Sequence, residues 1–316
     1  MENNKKISLV TGGAGFLGTN LCVRLLEMGH RVICLDNFST GSVSNIEKLI
    51  DNPFFMLVDG DVVDKHSFSK LDYIWHMACP ASPPKYQSNG YKTLLTSLVG
   101  TMNMLELALT HKCKLLFTST SEIYGDPLVT PQSETYWGNV NPVGPRSCYD
   151  EGKRCSETLI YEFRKLHPEI KNNLKIVRIF NTYGPYMDIN DGRVITNFIK
   201  NIIDNKPITI YGDGTQTRSF CFVDDMIDGF VKMMLSNEVD PINLGNPHHE
   251  FTMNELKECF CEILGLSDYP SITLPLPEND PKQRCPDIRL AKSKLDWSPK
   301  IDIKDGIKKT LEYFYL

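Results

Sequence analysis

A glycine-rich turn near the N-terminus constrains the fold of this chain more than any other feature. Residues 7–10 form a short apolar run that predicts a buried strand, and the turn TGGAGFLG follows at 11–18. Apolar residues then recur at helical spacing, and a second apolar run at 32–35 ends in Asp36. A lone G-x-G-x-x-G pattern is weak evidence, but strand, turn, helix, strand and acid agree here. The layout predicts a dinucleotide site, with the pyrophosphate against the glycines and the start of the helix.

Asp36 also indicates which dinucleotide binds. Its carboxylate would accept hydrogen bonds from the ribose hydroxyls of adenosine and repel a 2′-phosphate. Asn37 and Phe38 supply no cation for such a phosphate, so NAD is favoured over NADP. After a third predicted strand at 54–58, Asp61 either accepts a hydrogen bond from the adenine amine or is an ordinary turn residue. The residue alone leaves both alternatives open.

The alternation of strands and helices continues to about residue 180. Further strands are predicted at 73–77, 115–118 and 175–180, with a long helix at about 91–109 and a rigid proline-rich loop at 78–84. This order predicts an α/β fold with a Rossmann-type, doubly wound parallel sheet, in which ligands bind at the carboxyl ends of the strands.

Turns and prolines become frequent after residue 184, which predicts a smaller C-terminal substrate-binding domain. Helices are expected there at 253–264 and 303–313. We expect residues 1–183 plus about 216–246 to form the NAD-binding domain. Residues about 184–215 plus 247–316 would then form the substrate-binding domain.

Tyr149 and Lys153 are candidate catalytic residues. They are four positions apart at the start of a predicted helix, so they share one face. A free phenol has a pKa of about 10, and lowering it by three units requires roughly 4 kcal/mol. A cation about 4 Å away at an effective dielectric of 20 supplies about that much. The pair is suited to take a proton from an alcohol, although the same spacing is common in ordinary exposed helix pairs.

Composition limits the partners and the compartment. The 316 residues carry a net charge of −5, which argues against nucleic-acid and anionic-membrane binding. No uninterrupted apolar run of transmembrane length is evident. Residues 1–6 lack a signal-peptide layout, and the ten cysteines show no C-x-x-C or metal-ligand spacing. We therefore expect a cytoplasmic protein with reduced cysteines and without a metal.

Two arginines on predicted loops are candidate anion contacts. Arg218 lies in TQTRSF and Arg284 in DPKQRCPD. A guanidinium forms forked hydrogen bonds with phosphate or carboxylate, so both suit a diphosphate near a crevice. The alternative is surface solvation, which is the usual environment of arginine.

The chain resembles the extended short-chain dehydrogenase/reductase family. The resemblance rests on the glycine turn, Thr120, Tyr149 and Lys153, and it covers nearly the whole length. The strings TSEIYGDP, GPRSCYDEGKR, RIFNTYGP, DGRVITNFI, YGDGTQTRSF and DPKQRCPDI resemble the family members that convert UDP-glucuronate to UDP-xylose and CO₂.

The resemblance implies a three-step cycle. NAD⁺ would take a hydride from C4 while Tyr149, supported by Lys153 and the nicotinamide charge, takes the hydroxyl proton and Thr120 bonds the same oxygen. The resulting ketone lies β to the carboxylate and accepts the electrons that CO₂ leaves behind. A proton at C5 and the returned hydride at C4 then complete UDP-xylose. Because NAD ends unchanged, we expect it to stay tightly bound.

Ser121 and Glu122 distinguish this chain from its relatives by the same resemblance. Sugar-nucleotide 4,6-dehydratases have an Asp-Glu pair here, so Ser121 removes the acid that elimination needs. UDP-sugar 4-epimerases generally lack a carboxylate at the position of Glu122. In this chain, Glu122 would handle a proton or orient the substrate near C5.

The site residues expected from the motifs and the resemblance fall into three groups. The catalytic group is Tyr149, Lys153, Thr120, Glu122 and Ser121. The cofactor-binding group is Gly12, Gly15, Phe16, Leu17, Gly18, Asp36, Asn37, Phe38, Thr40, Gly41, Asp61, Val62, Ala78, Tyr149, Lys153 and Thr182. The substrate-binding group is Pro84, Lys85, Tyr86, Asn181, Arg193, Tyr211, Gln216, Arg218 and Arg284.

Three positions depart from the family pattern. Tyr186 occupies a position where an arginine is expected, and Leu95 and Ser97 occupy those of a lysine and an asparagine. The lost cations leave the oxidation chemistry intact and predict weaker anion contacts. Two alternatives therefore stay beside the decarboxylase interpretation: a UDP-sugar 4-epimerase and a non-catalytic NAD-binding sensor or scaffold. By analogy with relatives, a homodimer through the helices at 91–109 and 150–166 is expected.

Overall fold

The computed structural model describes residues 5–315. Residues 1–4 of the polar lead-in lie outside that range. The strands are β1 (Ile7–Thr11), β2 (Arg31–Asp36), β3 (Phe55–Asp59), β4 (Tyr73–His76), β5 (Lys114–Thr120), β6 (Leu174–Ile179), β7 (Thr182–Tyr183), β8 (Ile208–Tyr211), β9 (Thr217–Ser219), β10 (Cys221–Phe222), β11 (Ile242–Leu244), β12 (Glu250–Thr252), β13 (Ser271–Leu274) and β14 (Gln283–Arg284). The α-helices are α1 (Phe16–Glu27), α2 (Val43–Ile50), α3 (Pro83–Ser88), α4 (Gly90–His111), α5 (Ser147–Leu166), α6 (Val194–Ile203), α7 (Val223–Leu235), α8 (Met253–Leu264), α9 (Arg289–Leu295) and α10 (Ile303–Tyr315).

Seven strands form the main sheet, in the order β11-β6-β5-β4-β1-β2-β3. Every neighbouring pair in it is parallel, which confirms the predicted doubly wound Rossmann-type fold. The strand order reverses between β1 and β4, and a crevice opens at the carboxyl ends of strands where that happens. The glycine turn after β1 and the loop after β4 therefore meet at one edge of the sheet.

Helices cover both faces of the main sheet. The apolar side chains of α1 and α7 pack in one buried cluster, exemplified by Leu21 and Phe230. Those of α4 and α5 pack in another, exemplified by Leu105 and Ile160. Burial on both faces explains why these strands are almost continuously apolar.

Small sheets gather the later segments of the chain. In one of them β9 lies between β12 and β14, and Arg218 of β9 pairs in register with Arg284 of β14. Helix α7 packs on β5 and β6, and β11 joins the main sheet. The two-domain division given above stays a prediction.

Two expectations need correction. The predicted loop at 78–84 turns into helix α3 at Pro83, because proline fits the first turn of a helix, where its missing N–H leaves no bond unmade. Helix α4 is long and apolar enough to cross a membrane by length and composition, contrary to our search of the sequence. More than half of that span is buried, and α4 packs against α5, as a core helix of a globular fold does.

Candidate active site

The glycine turn forms a close-packed cradle at the start of α1. Gly12 has a φ of +71°, a conformation that favours glycine. A Cβ on Gly18 would lie 2.0 Å from the carbonyl oxygen of Gly12, so only glycine lets the turn and the helix approach this closely. Residues 15–18 at the helix start line the cavity described below, and the first N–H groups of a helix have no intrahelical partner, as a phosphate-binding turn requires.

Asp36 lies at the end of β2 beside this cradle. Its carboxylate oxygens accept hydrogen bonds from the backbone N–H groups of Ala14 (2.9 Å) and Phe38 (2.8 Å). Burial raises the pKa of Asp36 above its ordinary value, and these two bonds oppose that shift. The carboxylate is thus fixed in orientation and retains lone pairs for ribose hydroxyls.

A cavity of about 870 Å³ extends from the glycine turn to Tyr149 and Lys153. Every predicted cofactor residue lines it except Thr182, whose buried hydroxyl donates to the carbonyl oxygen of Phe180 at 2.9 Å. Two observations indicate that a dinucleotide fits this cavity. A Cβ on Gly18 would fill the cradle, and the Asp36 carboxylate is held in a fixed orientation at the expected ribose position. The site therefore suits NAD, as the sequence predicted.

Asp61 has partners within the protein. One carboxylate oxygen accepts from the N–H of Val63 at 3.0 Å, which is the turn role considered above. The other accepts from Asn37 at 2.8 Å and pairs with Lys92 at 2.7 Å. Although burial favours the neutral form, the Lys92 and Val63 hydrogen bonds lower the pKa of Asp61. A contact with adenine stays a prediction.

Tyr149 and Lys153 lie on one buried face of α5, at the far end of the cavity. The Lys153 ammonium donates to the carbonyl oxygen of Thr118 at 2.8 Å and lies 6.0 Å from the centre of the Tyr149 ring. Lys153 is thus anchored on β5 on the same buried side of the helix as the Tyr149 ring. Burial raises the pKa of Tyr149, the neighbouring Cys79 adds to the rise, and a hydrogen bond with Thr120 opposes it. In the protein alone, the phenol holds its proton at neutral pH.

Glu122 lies in a 3-10 turn, Ser121–Tyr124, directly after β5. Its carboxylate accepts from Arg146 at 2.6 Å and pairs with Arg284 at 3.4 Å. Arg284 is 2% exposed and also donates to the Ser121 hydroxyl at 2.9 Å. Burial alone would raise the pKa of Glu122, but the two arginines lower it to about 2. This carboxylate is thus ionised throughout the physiological range.

Further charges extend this cluster. Asp280 pairs with Arg146 at 3.4 Å and with Arg218 at 2.8 Å. Arg193, the third predicted arginine, lines the cavity and pairs with Asp191. The structure therefore brings Arg218 and Arg284 together and leaves Arg193 on the cofactor side.

Buried polar atoms without a partner collect around the same place. Within residues 5–315 they include side-chain atoms of Ser82, Tyr86, Arg146, Asp150 and Arg284. The Tyr86 ring stacks on that of Tyr149, with centroids 5.0 Å apart. Since buried polar groups are almost always hydrogen-bonded, these atoms mark where a polar ligand would bind.

Asp150 differs from Glu122 in its protonation. Burial raises the pKa of Asp150 to about 8, and the negative charge of Glu122 contributes to the rise. One of its oxygens has no hydrogen-bond partner among the described residues. At pH 7 the Glu122 carboxyl is thus ionised, whereas the Asp150 carboxyl is neutral.

Sequence reasoning did not single out four of these residues: Arg146, Asp150, Asp280 and Lys92. The signal for the first two was at hand, because GPRSCYDEGKR places them within three positions of Tyr149. Asp280 and Lys92 gave no local signal, because their partners are distant in the chain.

The remaining predicted substrate residues are held by their contacts within the protein. Lys85 lines the cavity and pairs with Asp188 at 3.2 Å, while Pro84 lies in the first turn of α3. The side-chain amide of Gln216 donates to the carbonyl of Tyr211 at 2.8 Å. The carbonyl of Asn181 accepts from the N–H of Cys221 at 2.9 Å. Substrate binding by Pro84, Lys85, Asn181, Tyr211 and Gln216 stays a prediction.

The three family departures have distinct surroundings. Tyr186 lines the cavity, with its ring 5.2 Å from that of Tyr313 in the C-terminal helix. Leu95 is not among the cavity-lining residues, but Lys92, one turn earlier, is. Ser97 is buried against Cys79, with 3.4 Å between hydroxyl and sulfur. The cavity thus has the Tyr186 and Tyr313 side chains where the family pattern has an arginine, and its Lys92 is paired with Asp61.

Comparisons with known proteins agree with this geometry. UDP-glucuronic acid decarboxylase 3 of Arabidopsis thaliana is 48% identical over 312 residues, covering 98% of this chain and 89% of that protein. UDP-glucuronic acid decarboxylase 1 of Danio rerio is 45% identical, covering 99% of this chain and 73% of that protein. The structure of UDP-glucuronic acid 4-epimerase from Bacillus cereus in complex with UDP-glucuronic acid and NAD has a TM-score of 0.85 at 27% identity, covering 98% of this chain and 99% of that one. The model of the NAD dependent epimerase/dehydratase family matches residues 8–245. The chain therefore belongs to the NAD dependent epimerase/dehydratase family, within the short-chain dehydrogenase/reductase group that its motifs resemble.

Proposed function

We propose that this protein is an NAD-dependent UDP-glucuronate decarboxylase that converts UDP-glucuronate to UDP-xylose and CO₂. The carrying observation is that one site joins a dinucleotide cavity ending at Tyr149 to a buried Glu122–Arg146–Arg284 cluster. Relatives of that activity match nearly the full length of the chain.

The glycine turn, Asp36, Tyr149 and Lys153 would hold NAD. The bound cofactor would supply a hydride acceptor for C4 and the positive charge of its nicotinamide ring. The protein alone raises the pKa of the Tyr149 phenol, so added positive charge is needed for Tyr149 to accept the C4 hydroxyl proton. The Thr120 hydroxyl would hydrogen-bond the C4 oxygen of the sugar. Lys153, which is anchored on the Thr118 carbonyl, would stabilise the Tyr149 phenolate by its positive charge.

Oxidation at C4 prepares the loss of CO₂. A ketone at C4 lies β to the carboxylate on C5, so the electrons of the breaking carbon–carbon bond move to the ketone oxygen. Arg146, Arg218 and Arg284 supply three positive charges, and Glu122 and Asp280 offset two of them, so one positive charge remains for the sugar carboxylate. Glu122 is ionised at pH 7, so it orients the sugar, while Asp150 is the carboxyl that holds a proton.

Product analysis tests this function directly. Purified protein is incubated with NAD⁺ and UDP-glucuronate labelled with ¹³C in its carboxyl group, and the products are identified by mass spectrometry. We expect one labelled CO₂ for each UDP-xylose. Formation of a UDP-hexuronate epimer without CO₂ would show a 4-epimerase instead, and NAD binding without turnover would show a sensor.

We further propose a homodimer through α4 and α5 in a cytoplasmic setting. Large apolar side chains are exposed on these two helices, including Tyr91, Met102, Tyr161 and Leu166. The ten cysteines are free, which supports a reducing compartment. Light scattering after size-exclusion chromatography tests the dimer, and a monomer at micromolar concentration would contradict it.

A further inference from the structure

A buried polar network lies behind the site, and the chemistry described above does not use it. It begins at Glu157 on α5, one turn after Lys153. The Glu157 carboxylate accepts from the Ser119 hydroxyl at 2.5 Å and from Arg178 at 2.7 and 3.0 Å. Ser119 immediately precedes Thr120 and pairs in register with Arg178 on β6. The network therefore fixes the catalytic helix against the strand that carries Thr120.

The network continues through Arg178 to the turn that carries Glu122. The third guanidinium nitrogen of Arg178 donates to the Tyr124 hydroxyl at 3.0 Å and to the carbonyl oxygen of Glu134 at 2.9 Å. Tyr124 is fully buried at the end of that turn, and its hydroxyl donates to the side chain of Asn243 at 2.8 Å. The Tyr124 hydroxyl thus joins the Glu122 turn to both the ion pair and Asn243. Glu134 forms a second link between Arg178 and Asn243, because its backbone carbonyl accepts from Arg178 and its carboxylate from the Asn243 N–H, both at 2.9 Å.

Asn243 carries the connection to the strand of Arg284. Its amide donates to the carbonyl of Gln132 at 2.9 Å. Gln132 and Cys285 then exchange two hydrogen bonds, of 2.8 Å between backbones and 2.9 Å to the glutamine side chain. Cys285 directly follows Arg284, so the network ends beside that arginine.

We infer that Glu157, Arg178 and Tyr124 are positioning residues that couple the two halves of the reaction. The oxidation half is Thr120, Tyr149 and Lys153, and the carboxylate half is Ser121, Glu122 and Arg284. This inference rests on the proposed function. The ketone made by the first half must meet the second half before it leaves, and a displacement of about 1 Å at a reacting centre costs about 100-fold in rate.

Tyr124→Phe is the sharpest test, because it removes the joining hydroxyl and keeps the ring and the Glu157–Arg178 ion pair. We expect C4 oxidation to persist while CO₂ formation falls about tenfold or more. Each uncoupled turnover releases one UDP-linked 4-keto sugar and leaves one NADH. The measurement is the ratio of CO₂ to released UDP-linked 4-keto sugar by mass spectrometry, and absorbance of NADH counts the uncoupled turnovers independently.

Tyr136→Phe is the matched control, since its ring stacks on Tyr124 at 6.1 Å while its hydroxyl only accepts from the N–H of Leu128. An unchanged ratio in Tyr124→Phe, or an equal fall in both variants, would overturn the inference. If Tyr124→Phe does not fold, Arg178→Lys provides the same readout, because one ammonium cannot replace the forked contacts to Glu157 and Tyr124. Wild-type protein that makes no CO₂ would reject the proposed function itself, so the two failures are distinguishable.

Discussion

The cofactor side and the carboxylate side of this site are built in opposite ways. The cradle around Gly12, Gly18 and Asp36 comes from one continuous segment and uses backbone groups. The carboxylate side brings together Glu122, Arg146, Asp280 and Arg284 from distant parts of the chain. The cofactor side can be predicted from the sequence because its residues are close together in the chain. The carboxylate side forms only when the chain folds.

The largest effect is expected where the two sides meet. Tyr149→Phe removes the only proposed proton acceptor for the C4 hydroxyl, so kcat should fall by about 10²–10⁴, the range of general-base catalysis. NAD affinity should change little, because the ring and its stacking on Tyr86 remain. Tyr161→Phe on the exposed face of the same helix is the control, and steady-state CO₂ release is the measurement. Retained activity in Tyr149→Phe would remove this residue from the mechanism.

A smaller effect is expected from the cofactor side alone. In Gly18→Ala the new Cβ would lie 2.0 Å from the Gly12 carbonyl, so the turn must open. We expect the dissociation constant for NAD to rise about 100-fold in calorimetric titration. Gly29→Ala, just after the same helix, meets only the end of Lys5 at 3.8 Å and should bind NAD normally despite its positive φ. Equal affinities in the two variants would contradict the close-packed cradle.

The smallest effect concerns the carboxylate side and appears as a pH dependence of stability. The folded protein keeps the Asp150 proton up to a pH of about 8, whereas an unfolded aspartate releases it near pH 4. The free energy of unfolding therefore falls as pH rises between these values.

Asp150→Asn cannot ionise and should lack that fall. Its stability relative to wild type should grow from pH 4 to 8 and then level off in urea titrations. Glu162→Gln, on the exposed end of the same helix, should follow the wild-type curve. A constant difference between Asp150→Asn and wild type would show that this carboxyl is not held neutral.

The same contrast explains what the sequence predicted. The seven-stranded sheet and the cofactor cavity follow from local signals: apolar runs, a glycine turn and an acid at a strand end. The placement of Tyr149 and Lys153 on one helix face was predicted from their spacing, whereas the hydrogen bond that anchors the Lys153 ammonium on the Thr118 carbonyl depends on the folded strand. Arg146 and Asp150 lie beside Tyr149 in the sequence, but their electrostatic contact with Glu122, more than twenty positions away, exists only in the folded chain. Such long-range electrostatic contacts have no period or motif in the chain.

A single-turnover experiment tests the central claim most directly, which is that oxidation and loss of CO₂ occur in one site. Protein loaded with NAD⁺ is mixed with UDP-glucuronate, and absorbance at the NADH wavelength is followed together with CO₂. The account predicts that NADH rises and then returns to its starting level as one CO₂ per site is released. Release of CO₂ with no NADH at any stage, or NADH that accumulates without CO₂, would contradict it.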